Sequence, residues 1–168
     1  AFADCKDMWN ITIPDSVTGI GEYAFRYCTN LTTVTLSETV SCIGAHAFDG
    51  AANLAAINLP EGITGLAPYM FANTGLVTYT HPTFITNVNV EGVFANNAKL
   101  STTEIAANAN VTSIGAYAFR DCDSLTTVTF PASVTFLGEY AFYDCDRLTA
   151  VTIPGSITTI QSSTFAEC

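Results

Sequence analysis

Residues 20–36 read IGEYAFRYCTNLTTVTL, and residues 114–130 read IGAYAFRDCDSLTTVTF. Working outward from the phenylalanine of YAF, the same register recurs at Phe2, Phe25, Phe48, Phe71, Phe94, Phe119, Phe142 and Phe165. The spacing is 23 residues with one step of 25. Most of the 11 phenylalanines fall on this comb, so composition does not produce it. Self-similarity at such a period is the mark of stacked coils.

Each period has a physical parse. Six residues past the phenylalanine comes an apolar residue: Met8, Leu31, Leu54, Leu100, Leu125 or Leu148. An alternating pair follows (Ile11/Ile13, Val34/Leu36, Ile57/Leu59, Val128/Phe130, Val151/Ile153), with threonine its commonest neighbour. This is the pattern of a half-buried strand. Pro14, Pro60, Pro82, Pro131 and Pro154 then end the strand, because proline cannot donate to a ladder. A second apolar pair comes next, as in Val17/Ile20 and Val134/Leu137, and a glycine turns the chain into YAF, where at most one helical turn is expected. A single unit cannot bury its apolar edge. About seven of them, stacked at roughly 4.8 Å per strand, line every apolar position into one column.

Composition narrows the class. Hydrophobic residues make up 49% and charged residues 12%, the mark of a chain that folds. No apolar run approaches a membrane span, and no secretion-signal pattern is present. Five Lys+Arg against 15 Asp+Glu give a net charge of -10, which argues against nucleic acid and against insertion into or binding of anionic membranes. The sign suits a cationic partner surface or divalent cations. The chain opens and closes inside a repeat, so the expectation is either an excerpt of a longer array or a homopolymer that stacks end to end.

The stretches LTTVTLSETVSCIGAHAF (31–48), LTTVTFPASVTFLGEYAF (125–142) and LTAVTIPGSITTIQSSTF (148–165) resemble the BspA-like, treponemal-type leucine-rich repeats. The resemblance runs over essentially the whole chain. It implies a β-rich repeat solenoid, a single array over 1–168. A parallel sheet would lie on one face, with short turns or helical turns on the other. It further implies an extracellular or cell-surface protein with no cofactor and no active site, acting in adhesion and in protein or glycan interaction.

Residues 70–117 depart from the pattern: one residue is dropped before Leu76, one is added near Asn89, and two follow Ile105. His81 stands where an inward isoleucine is expected. A worn repeat with a local bulge and a grafted recognition loop both fit this.

The candidate site residues follow from the columns. Thr33, Thr35, Asn58, Thr127, Thr129 and Thr152 are expected to face outward from the first strand, forming a binding surface. Their β-propensity is a sufficient alternative reason for them. Thr18, Thr64, Thr112, Thr135 and Thr158 form a second column. Cys5, Cys28, Cys122, Cys145 and Cys168 share a third, with Cys42 outside it; a ladder of free thiols and vertical disulfides such as Cys5–Cys28 or Cys122–Cys145 are both open. Stacked DCD turns place Asp121, Asp123, Asp144 and Asp146 as weak Ca²⁺ candidates beside the simpler reading of solvated acidic turns. Asn10, Asn30 and Asn110 begin N-x-Thr glycosylation sequons. His46 replaces a tyrosine in the column of Tyr23, Tyr69, Tyr117 and Tyr140 and reads as a packing residue. No catalytic motif is present.

Overall fold

The comb phenylalanines stand in file. The computed structural model describes residues 2–79, 82, 85, 88–103 and 110–168. From Phe2 to Phe165 each ring stacks on the next, with centroids 5.6, 5.4, 5.9, 5.8, 5.2, 5.2 and 5.4 Å apart and planes within 17°. The rings of Phe48, Phe71, Phe94, Phe119 and Phe142 are wholly buried. The 25-residue step from Phe94 to Phe119 leaves the spine at 5.2 Å, so the extra residues do not disturb the stack. Those residues, like His81, lie outside the described ones.

Around this spine the regular elements of the described residues are ten short strands, all paired in parallel. On the first-strand face are β1 (Asn10–Thr12), β3 (Thr33–Thr35), β5 (Thr78–Tyr79), β6 (Thr102–Thr103), β8 (Thr127–Thr129) and β10 (Ala150–Thr152). The second set is β2 (Gly19–Ile20), β4 (Cys42–Ile43), β7 (Ser113–Ile114) and β9 (Phe136–Leu137). Register keeps the period: Ile11 pairs with Val34, Ile20 with Ile43, Ile114 with Leu137 and Val128 with Val151. In the irregular stretch the offset is 24, Thr78 against Thr102. Tyr79 turns inward there and packs 4.4 Å from Phe94.

Two details refine the expected array of parallel strands and turns. The sheet is not continuous: the strands pair two by two, and residues 55–59 form no strand. The sequence gives a reason. At the position seven past the comb phenylalanine, Thr32, Ser101 and Thr149 each donate a hydroxyl to the carbonyl of the preceding coil, at 2.8, 3.2 and 3.2 Å. Ala55 has no hydroxyl to give, and alanine is a poor strand former. The turn side holds no helical turn among the described residues, within the expected one turn at most. YAF lies in a run of tight turns, with backbone at positive φ two residues before and two after the phenylalanine. Tyr23, His46, Tyr69, Tyr117 and Tyr140 hold the first position at φ 52–57°; Tyr27, Asn73, Asn96, Asp121 and Asp144 hold the second at 54–60°. Such conformations cost about 1–2 kcal/mol per L-residue. Offsetting this, alternate N–H groups donate to the next coil: Tyr23 to Ala45, Phe25 to Ala47 and Tyr27 to Asp49, at 2.7–3.0 Å. Among the described residues no helix is long and apolar enough to cross a membrane.

Candidate functional site

Thr33, Thr35, Asn58, Thr127, Thr129 and Thr152 are all exposed. Alternation puts Val34 and Val128 into the core, so the threonines on either side of each must point out. The neighbouring Thr32 and Thr149 are tied into the ladder, whereas the hydroxyls of Thr33, Thr35, Thr127, Thr129 and Thr152 make no side-chain hydrogen bond among the described residues. Where residues 55–59 fail to pair, the face opens into a cleft of about 500 Å³ lined by Thr33, Thr35, Glu38, Ala56, Asn58 and Pro60, among others. A second cleft of about 340 Å³ flanks the same segment on its far side, bounded by Leu76, Thr78, Tyr79 and Pro82. Thr33, Thr35 and Asn58 are therefore brought together in one cleft, while Thr127, Thr129 and Thr152 belong to the separate β8–β10 pair. Thr18, Thr64, Thr112, Thr135 and Thr158 are exposed on the second column.

The cysteines are all free, so the vertical disulfides do not form. In their place, four of the six thiols find a carbonyl one coil back. Sγ of Cys28, Cys122, Cys145 and Cys168 lies 3.0, 3.4, 3.2 and 3.1 Å from the carbonyl oxygens of Phe2, Phe94, Phe119 and Phe142. Burial pushes the Cys145 thiol up to about 12, keeping it a neutral donor. Asn97 occupies the same column and donates Nδ2 to the carbonyls of Phe71 (2.7 Å) and Phe94 (2.9 Å).

The acidic turns acquire a conformational reason. Asp121 and Asp144 sit at φ 55° and 56°, where Asp and Asn are the least costly side-chain-bearing residues. Desolvation, and then Asp144, hold the Asp121 carboxyl above its ordinary range despite Arg120 Nε at 3.1 Å. Asp123 is raised by desolvation and by Asp146. Among the described residues no group of three or more His, Cys, Asp or Glu is placed to hold a metal. Of the sequon asparagines, Asn10 lies exposed on β1, Asn30 is half-buried and Asn110 is exposed.

His46 does stack in the tyrosine column, 5.0 Å from both Tyr23 and Tyr69. Sequence reasoning missed its partner, the buried Asp49. One oxygen of that carboxylate accepts from Arg26 Nε (3.2 Å) and lies 3.0 Å from His46 Nδ1; the other accepts from Asn73 Nδ2 (2.8 Å). The signal was available, since Arg26 and Asp49 are opposite charges one period apart.

Comparison with known proteins agrees with this geometry. The family profile described as BspA type Leucine rich repeat region matches in 6 copies, over residues 1–108 and 91–168. Among solved structures, a leucine-rich repeat protein from Bacteroides ovatus superposes with a TM-score of 0.86 at 25% identity, covering 94% of this chain and 40% of its own. The T. pallidum leucine rich repeat protein gives 0.58 at 26% identity, covering 95% and 65%. A leucine rich cell surface protein from Faecalibacterium prausnitzii gives 0.53 at 22% identity, covering 99% and 59%. The chain thus spans between 40% and 65% of the length of these structures. No curated protein matches the sequence.

Proposed function

The chain belongs to the BspA-type leucine-rich-repeat family, and from that premise we propose that it is a non-enzymatic adhesion scaffold at the cell surface or outside the cell. Its first-strand face would bind a protein or glycan partner. The observation that carries the reading is the cleft of about 500 Å³ at Thr33, Thr35 and Asn58, where exposed hydroxyls and an amide meet beside an unpaired strand-like segment. Repetition supports it: β8 presents the outward threonine pair again and β10 one threonine of it, so weak contacts can add along one partner. The net charge of -10 favours a cationic partner surface. Surface location is supported by the F. prausnitzii relative, a leucine rich cell surface protein.

The test is retention of the purified chain on immobilised matrix proteins and glycans. Thr33→Lys combined with Asn58→Lys should cut retention at least tenfold while the melting curve stays in place. The matched pair Thr18→Lys with Thr135→Lys, on the second column, should leave it unchanged. Equal losses from both pairs would sink the reading.

A further inference from the structure

The tyrosine column on the turn side lacks a ring at two positions, Ser163 on the last coil and Gly92 in its interior. Tyr23, His46 and Tyr69 stack at 5.0 Å per step, and Tyr117 and Tyr140 stack at 5.2 Å with planes 5° apart. Between Tyr69 and Tyr117 the column position is Gly92. Its φ of +57° matches the 52–57° of the aromatic members, so the backbone is unchanged and only the ring is absent. Tyr69 leans into this position, so that a β carbon on Gly92 would overlap its Cε1, and the phenol donates to Glu91 Oε1 at 2.7 Å. The face of Tyr117 turned away from Tyr140 has no ring partner among the described residues. What results is an open slot of about 310 Å³ lined by Tyr69, Glu91, Ala95, Asn96, Tyr117 and Arg120.

We propose that this slot is a subsite for one neutral pyranose ring, seated on the open face of Tyr117 with its hydroxyls directed to Glu91, Asn96 and Arg120. A pyranose carries an apolar C–H face and a polar rim, which matches a free aromatic face bordered by a carboxylate, an amide and a guanidinium. Each border group has capacity to spare. Glu91 is a carboxylate with several acceptor sites and receives one bond from Tyr69. Asn96 uses Nδ2 on Asn73 Oδ1 (2.9 Å) and keeps its own carbonyl oxygen. Arg120 is held by Asp121 through Nε at 3.1 Å, which fixes the guanidinium and leaves its terminal nitrogens to donate. Burial and Glu91 push the Tyr69 phenol up to about 12, so it remains the donor that orients Glu91 at any working pH.

Other ligand classes fit less well. A flat heteroaromatic would stack on Tyr117 but leave the surrounding carboxylate and amide without partners. A phosphorylated or acidic sugar meets Glu91 and a chain of net charge -10, while Arg120 is already compensated by Asp121. The volume, at the lower end of ligand pockets of roughly 300–1,000 Å³, admits a single sugar unit better than an extended chain. The slot is built from turn segments rather than strands, so it extends the scaffold reading to a named ligand class without depending on the Thr33 face.

Saturation-transfer NMR on the full chain tests this. The probes are millimolar methyl glycosides of glucose, galactose, mannose and N-acetylglucosamine, with N-acetylneuraminic acid as the anionic comparison. At least one neutral glycoside should receive saturation on its ring C–H protons. Gly92→Tyr, which puts a ring into the slot at a φ its neighbours already use and must displace the Tyr69 ring to do so, should cut that signal at least tenfold. Tyr117→Ala should cut it similarly, and decides the matter if Gly92→Tyr does not fold. Tyr23→Ala, at the far end of the column, should leave it intact, as should Thr33→Lys. The proposal is overturned if no neutral glycoside receives saturation, if only the anionic sugar does, or if the signal survives in the variants of the slot. None of those failures touches the matrix-retention test of the strand face.

Discussion

The regular coils and the irregular middle stretch, residues 70–117, solve the same packing problem with different sequence. In the regular coils the strand pairs keep a 23-residue register and the thiols of Cys28 and Cys145 bond the carbonyl one coil back. In the middle the register slips to 24, Tyr79 supplies the inward strand residue, and Asn97 replaces the thiol. Yet the rings of Phe71, Phe94 and Phe119 remain in file. The ring spine is what both regions keep; the strand side and the column of carbonyl donors vary around it.

That comparison is broken most directly at the spine. Phe94 is wholly buried, between Phe71 and Phe119 and against Tyr79 at 4.4 Å. Phe94→Ala should cost about 3–5 kcal/mol. Because each coil contacts only its neighbours, the damage should also divide the array into two halves that melt separately. Phe48→Ala, in a regular coil, should cost about as much but leave the strand pairing on either side of the irregular stretch untouched. Chemical denaturation read by circular dichroism distinguishes them: two transitions for Phe94→Ala are expected. A single transition there would mean that the middle coils are as firmly coupled as the others.

The second test asks whether Asn97 truly does the thiol's task. Its Nδ2 serves two buried carbonyls, those of Phe71 and Phe94. Asn97→Ala leaves both without that donor and should cost about 1–3 kcal/mol. Asn97→Cys should recover part of the loss by restoring the column's usual donor, whereas Asn97→Val should not. If all three variants are equally unstable, the column is a matter of volume rather than hydrogen bonding.

Much of this was legible in the sequence, and the exceptions are instructive. The phenylalanine comb, the alternating Val34 and Val128, and the outward threonines follow from period and alternation, which act at short range and repeat. The break at residues 55–59 was harder to see, because it depends on one hydroxyl missing from Ala55 across an inter-coil step. The positive φ at the tyrosines was hidden as well. Aromatic residues rarely adopt that conformation, and here the inter-coil ladder and ring stacking impose it. Asp121 and Asp144 suggested a metal because their charges align; their backbone conformation explains them more simply. The slot at Gly92 could have been read from the column itself, had the glycine been seen as an absent ring.

The smallest expected effect concerns those acids, and it sets a regular turn against the asparagine-bearing middle ones. Asn73 and Asn96 hold in the middle coils the positive-φ position that Asp121 and Asp144 hold later. Asp121→Asn therefore preserves the backbone preference and removes only the charge. Like charges facing across neighbouring strands are unfavourable by about 0.2–1 kcal/mol, so the variant should be stabilised by a similar amount near pH 7. The pH dependence follows from the direction of the shift. Desolvation and Asp144 raise the Asp121 carboxyl above its ordinary 3.8, so the folded chain holds this proton more tightly than the unfolded one. The stabilisation from that proton is present in full below the unfolded value and is lost as pH rises through the raised one. The advantage of Asp121→Asn should accordingly shrink on acidification and vanish below pH 3.8. Urea melts at pH 7 and pH 3 measure it. An advantage that persists at the lower pH would place its origin in the turn's conformation rather than its charge.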